Sequence, residues 1–232
     1  MREKVKFPSK PLRKSKDFSI NKYIFETVSK KIMAKPWIDS VKQSGKLKVY
    51  DGIGGGKWSS LFQQSLSEFN ELLKGSGLSL TFEKAADEAS AQVVVKISDG
   101  PASFEYGKDK FSYAFNGKGL HGFTGQVSRG TDPRIEKAFV FLPGNPQMNT
   151  YDGLRPTGIG VMKCILVHEF VHACGLENKD HGTDDVFHGS PQTNYGDTAA
   201  EDKIGIRRDG KYIWFPPIVL SSATIGKIKA LW

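Results

Sequence analysis

The stretch Lys46 to Tyr50 alternates charged and apolar side chains (Lys-Leu-Lys-Val-Tyr), a two-residue period that predicts a β-strand. From Trp58 to Lys74 the period lengthens. Leu61, Leu66, Phe69, Leu72 and Leu73 recur at helical spacing, and Gly75 ends the run. Runs at Leu78 to Lys84, Gln92 to Ile97, a stretch near Phe111 to Val127, and Ala138 to Leu142 then predict three or four strands, the last closed by Pro143 and Gly144. A loop is expected from there to Thr157. Between Val161 and Cys174, the apolar residues Val161, Ile165, Leu166, Val167, Phe170 and Val171 cover every side of a helix and not one stripe, which predicts a buried helix. Arg207 to Gly210 predicts a hairpin turn between Ile204–Ile206 and Tyr212–Phe215. Leu220 to Trp232 predicts a final helix, capped by Ser221 or Ser222, with Ile225, Ile228 and Leu231 facing inward. At the other end, residues 19–34 carry Ile20, Tyr23, Ile24, Val28 and Ile32 on one helical face behind Ser19 as N-cap, and Pro36 stops that helix. The glycine-rich stretch Asp51 to Lys57 departs from a phosphate-loop pattern, because Trp58 stands where Ser or Thr is required, and is expected to be a plain strand-to-helix connection.

Charge changes the picture of the N-terminus. The net charge is +8 over 232 residues, but residues 1–35 hold eleven Lys and Arg against three acids, so the remainder is balanced. Residues 1 to about 17, charged and poor in large apolar side chains, predict an extended or disordered arm, read first as a solvated tail and second as a docking arm for an acidic partner, a protein or nucleic acid. We divide the chain into a basic extension with a short helix (1–45) and a body (46–232) with an upper lobe over about 46–175 and a lower lobe over about 176–232. No run approaches the ~20 apolar residues of a membrane span. The N-terminus lacks an apolar signal core, which leads us to expect cytoplasmic synthesis. The two cysteines, Cys164 and Cys174, lie ten residues apart on one predicted helix, ~15 Å from each other, so they are expected to be free thiols.

The candidate chemistry lies on that same helix. His168, Glu169 and His172 form a His-Glu-x-x-His motif. Residues four apart share a helical face, so both imidazoles reach one metal ion, and Glu169 stands beside the first, close enough to act on a water. A buried helix does not tolerate two His and a Glu without partners, and zinc supplies one to all three. Gly175, three residues after His172, can take a left-handed conformation and turn the chain back toward the metal.

His-Glu-x-x-His-x-x-Gly resembles the metzincin clan of zinc endopeptidases, and the order strand, helix, four strands, helix over residues 46–181 resembles the upper subdomain of its matrixin-like members. The C-terminal helix opening with Leu220-Ser221 is similar to theirs as well. The resemblance implies an α+β, zincin-like fold: a mixed twisted sheet with two helices on one side, above a small C-terminal subdomain ending in a helix. It implies a third zinc ligand shortly after Gly175. The clan's position for it is Asn178 here, and His181 is the nearest usable imidazole. Asp180, Asp184, Asp185 and His188 stay open as alternatives, as does Glu201 if the third ligand follows the gluzincin pattern. The resemblance implies a substrate strand added to the sheet edge, for which Gly119 to Val127 is the candidate. His121, within it, is expected to be a surface residue. Thr193 stands where the clan has its Met-turn methionine, and Tyr195 two residues on is a candidate donor to the oxyanion.

The expected function is a zinc-dependent endopeptidase, a hydrolase that cleaves protein or peptide substrates with Glu169 as general base. The second expectation, of another class, is a structural or assembly protein, such as a virion or injection-apparatus component, that keeps a zinc site and docks through its basic arm. Delivery by such a non-classical route would reconcile free thiols with a clan whose members are mostly secreted.

Overall fold

The computed structural model describes residues 34–150, 153–180, 192–194, 203–208, 211–215 and 220–232. The basic arm and the helix expected over 19–34 lie outside the described residues. A short helix α1 (Asp39–Ser44) leads through Gly45, at φ 63°, into β1 (Lys46–Asp51). Then follow α2 (Gly56–Gly75), β2 (Thr81–Lys84), β3 (Val93–Ser98), β4 (Ala102–Tyr106), β5 (Asp109–Tyr113), β6 (Phe123–Val127), β7 (Lys137–Pro143), β8 (Gln147–Thr150), β9 (Gly153–Pro156) and α3 (Ile159–Ala173). A single 3-10 turn, Asn178–Asp180, precedes β10 (Gln192–Asn194), β11 (Lys203–Arg208), β12 (Lys211–Phe215) and α4 (Ser222–Leu231).

The main sheet has the order β2-β1-β3-β7-β6. Its first four strands run parallel, and β6 runs antiparallel to β7 at one edge. It is a mixed sheet in a mixed α/β layer arrangement, with four helices among the described residues. Alternation along the strands explains its two faces. Leu47 and Val49, Val93 and Val95, and Ala138, Val140 and Leu142 point to the helices. Val94, Phe139 and Phe141 point the other way, into a second core covered by the β4–β5 hairpin. There Phe104 stacks on Phe111 and Phe139 at ring separations of 4.8 and 4.2 Å. On the helical face Phe170 of α3 packs among Phe62 and Phe69 of α2 and Phe82 of β2.

Helix α3 is the hub of the larger core and is buried on nearly every side, as its apolar surround predicts. Even Lys163 is buried, and its ammonium pairs with Glu68 of α2 at 2.8 Å. The segment before β1 packs into this same core. Trp37 is wholly buried, and Ile38 donates to the Ile135 carbonyl. Ser221 caps α4 by accepting the Thr224 N–H, with Ile228 fully buried and Ile225 and Leu231 packed on the core.

Three of the features that differ from the sequence pattern are strands. The run near Phe111 to Val127 divides, one part closing the β4–β5 hairpin and the other forming edge strand β6. The expected loop before Thr157 contains the β8–β9 hairpin. The segment Gln192–Asn194 adds a third strand to the hairpin over 203–215. In each case main-chain pairing of a short segment decides, and pairing leaves little periodicity in four or five residues.

Candidate metal centre

The imidazoles of His168 and His172 sit one turn apart on α3 and turn toward each other, with their Nε2 atoms 2.9 Å apart. Both rings are half-buried, not sealed off. The Nδ1 of His172 lies 2.9 Å from the Leu176 carbonyl oxygen. A carbonyl only accepts, so Nδ1 must carry the proton, and Nε2 is left with a lone pair directed at its neighbour. Two ring nitrogens facing each other in this way need a shared proton or a shared cation between them. A neutral imidazole whose Nδ1 is held by a backbone carbonyl, as at His172, suits a borderline-soft divalent ion such as zinc. His168 and His172 would supply two of the donors of a zinc site.

Glu169 is 2% exposed and lies beside the pair. The Thr124 hydroxyl donates to its Oε2 at 2.6 Å. Burial pushes the Glu169 carboxyl up to about 8, and the Thr124 hydrogen bond opposes the shift. Its position is also set by a bare backbone. A Cβ added at Gly122 would come 2.7 Å from Oε1 and 2.5 Å from Cγ. Gln126, two residues beyond Thr124 on the same face of β6, donates its amide to the His172 carbonyl at 2.8 Å.

The turn that follows α3 is tightly constrained. Gly175 has φ +108°, and the space where a Cβ would sit is taken by the Lys35 carbonyl oxygen. Lys35 in turn donates its N–H to the Gly175 carbonyl at 2.9 Å. The last carbonyls of α3 are closed by two indoles from distant parts of the chain: Trp37 Nε1 donates to Ala173 at 2.8 Å and Trp232 Nε1 to Cys174 at 3.0 Å.

Of the residues the sequence singles out, His168, Glu169 and His172 come together. His121 is exposed at the start of the β6 segment. Asp180 is committed locally, its carboxylate accepting the Glu177 N–H at 3.0 Å. Among the described residues no group of three metal-ligating side chains is found. His181, Asp184, Asp185, His188, Tyr195 and Glu201 lie outside the described residues. Thr193 pairs with Ile204 across β10 and β11. Thr124, Gln126 and Gly122 are neighbours of the motif helix that the motif does not announce. The one sequence signal for Thr124 and Gln126 is polar alternation along Phe-Thr-Gly-Gln-Val, where they share a face opposite Phe123 and Val127. A scan of the chain against protein-family models finds no match, and a search of curated proteins finds none either.

Proposed function

We propose that this chain is a zinc-dependent endopeptidase of metzincin-like type, with His168, His172 and His181 as metal ligands and Glu169 as general base. The observation that carries the reading is the convergence of two imidazole nitrogens to 2.9 Å beside a buried carboxylate. A purely structural zinc site has no use for that carboxylate and takes four protein ligands. The mixed sheet, its antiparallel edge strand and the helix carrying the motif support the fold that the resemblance implies.

Bound there, zinc supplies Lewis acidity that polarises a peptide carbonyl and acidifies a water molecule. The chain's own residues do the rest. His172 is held in one tautomer by Leu176, which keeps Nε2 available as a ligand. Glu169, in its ionised form, accepts a proton from water at one carboxylate oxygen and delivers it to the leaving amine. The Thr124 hydroxyl and the bare backbone of Gly122 fix the direction in which that carboxylate points. Strand β6 ends the sheet, and among the described residues no strand pairs with its outer edge. An extended peptide added antiparallel there lies next to Thr124 and Gln126, the residues that bond to the motif helix. Tyr195 completes the proposal as a donor to the developing oxyanion.

The test is proteolysis of a denatured protein substrate, with and without chelator, by the native chain and by Glu169→Gln. The expected result is zinc-dependent cleavage, restored by zinc after chelation. Glu169→Gln should retain zinc and lose at least ~100-fold in rate, the scale of a general base. Stoichiometric zinc without cleavage of any substrate would instead favour the assembly protein.

A further inference from the structure

One side chain ties the edge strand β6 to the end of α3. Gln126 is half-buried, on the face of β6 that meets the helix. Its backbone pairs with Ala138 of β7, so the sheet holds the side chain in place. The amide nitrogen donates to the His172 carbonyl at 2.8 Å and to the Leu176 carbonyl at 3.4 Å. Carbonyl oxygens only accept. The nitrogen end of the amide therefore faces them, and its two hydrogens serve one carbonyl each.

The two carbonyls differ in what else holds them. That of His172 also accepts the Gly175 N–H at 2.9 Å, within the turn that ends the helix. That of Leu176 lies beyond α3, past the turn at Gly175, where no helical ladder fixes it. Among the described residues no backbone N–H donates to it, and Leu176 is fully buried, so bulk water does not orient it. Its other neighbour is Nδ1 of His172, 2.9 Å away. The hydrogen bonds thus close a circle, from the His172 backbone through the Gln126 amide and the Leu176 carbonyl to the imidazole of His172 itself.

That circle bears on the metal ligand. A neutral imidazole carries one proton, on either nitrogen, and the nitrogen that carries it cannot bind a metal. An acceptor fixed at Nδ1 keeps the proton there. An acceptor that can turn away lets the proton move to Nε2, the atom that faces His168.

We propose that Gln126 is a positioning residue of the metal centre: its amide holds the Leu176 carbonyl on Nδ1 of His172 and so keeps the Nε2 lone pair free for zinc. This role rests on the zinc ligation proposed above and is independent of peptide hydrolysis. Losing an outer partner of a zinc-bound imidazole costs about 10–100-fold in affinity. Gln126 acts through one further group, so the effect expected is at the lower end, about tenfold.

Two variants of the full chain test it. Gln126→Met keeps the reach of the side chain and removes its donors. Gln126→Asn keeps the amide and draws it back by one methylene. In the zinc-free protein, at a pH where imidazole is neutral, the nitrogen NMR shifts of the ring report which nitrogen of His172 is protonated. The native chain should show Nδ1–H, and each variant a mixture of the two tautomers. Zinc affinity, read by competition with a chromogenic chelator, should weaken about tenfold in each. A side chain that only fastens the helix to the strand would lower the melting temperature and leave tautomer and affinity as they were. The proposal is overturned if either quantity is unchanged in both variants, or if native His172 carries its proton on Nε2. A native chain that takes up no zinc would remove the metal reading itself, and the ring-nitrogen shifts would still decide whether Gln126 sets the tautomer.

Discussion

Glu169 shows how much of a site is set by atoms that are not in its motif. Its carboxylate has one hydrogen-bond donor in Thr124 and one steric limit in Gly122. Gly122→Ala would press a methyl group into the carboxyl and swing it away from the imidazoles. The expected outcome is a loss of at least ~10-fold in peptidase rate with zinc content unchanged, because displacing a proton-transfer group costs rate and not metal. Zinc analysis beside steady-state kinetics checks this, and a parallel loss of zinc would show that Gly122 supports the whole cluster. The His-Glu-x-x-His spacing made three of these residues legible, since four residues is one helical turn whatever surrounds it. Gly122 was not legible, because its role is a contact 47 positions away in sequence.

At the scale of elements, α3 carries the His-Glu-x-x-His motif and is fastened at its C-terminal end by both ends of the described chain. The indole of Trp37, ahead of β1, and that of Trp232, the final residue, close two carbonyls at the point where the chain must leave the helix. Trp37→Phe keeps the aromatic bulk and deletes the donor, which leaves the Ala173 carbonyl buried and unpaired. Stability should fall by about 1–3 kcal/mol, or a few degrees in Tm. Thermal melting of the zinc-free protein measures this without interference from metal binding, and an unchanged Tm would mean that the carbonyl finds another donor. The all-round apolar character of α3 gave its burial in advance, and the strand–helix–strand order anticipated the layers. The β8–β9 hairpin and β10 were not anticipated, because each is stabilised by main-chain pairing with a neighbour and not by the pattern of its own side chains.

For the whole molecule, the two-sided sheet keeps the thiols out of reach. Cys164 and Cys174 are free and buried, and burial pushes the Cys164 thiol up to about 12 and Cys174 in the same direction. Thiolate is the reactive form, so neither should react with an alkylating reagent while the core is intact. Mass spectrometry after brief labelling should find both unmodified in buffer and both modified in denaturant, and rapid labelling of either in the native protein would contradict the packing around α3. No helix among the described residues is long and apolar enough to cross a membrane. Local order in the chain was enough to give the elements with strong periods, the buried character of the motif helix and the pairing of His168 with His172, because each depends on the geometry of a single helix or strand. Folding in three dimensions was needed to bring Thr124, Gln126 and Gly122 of the edge strand to that helix and to close its end with Trp37 and Trp232. Those are contacts between residues far apart in the chain, and periodicity within a segment carries no information about which segment it will meet.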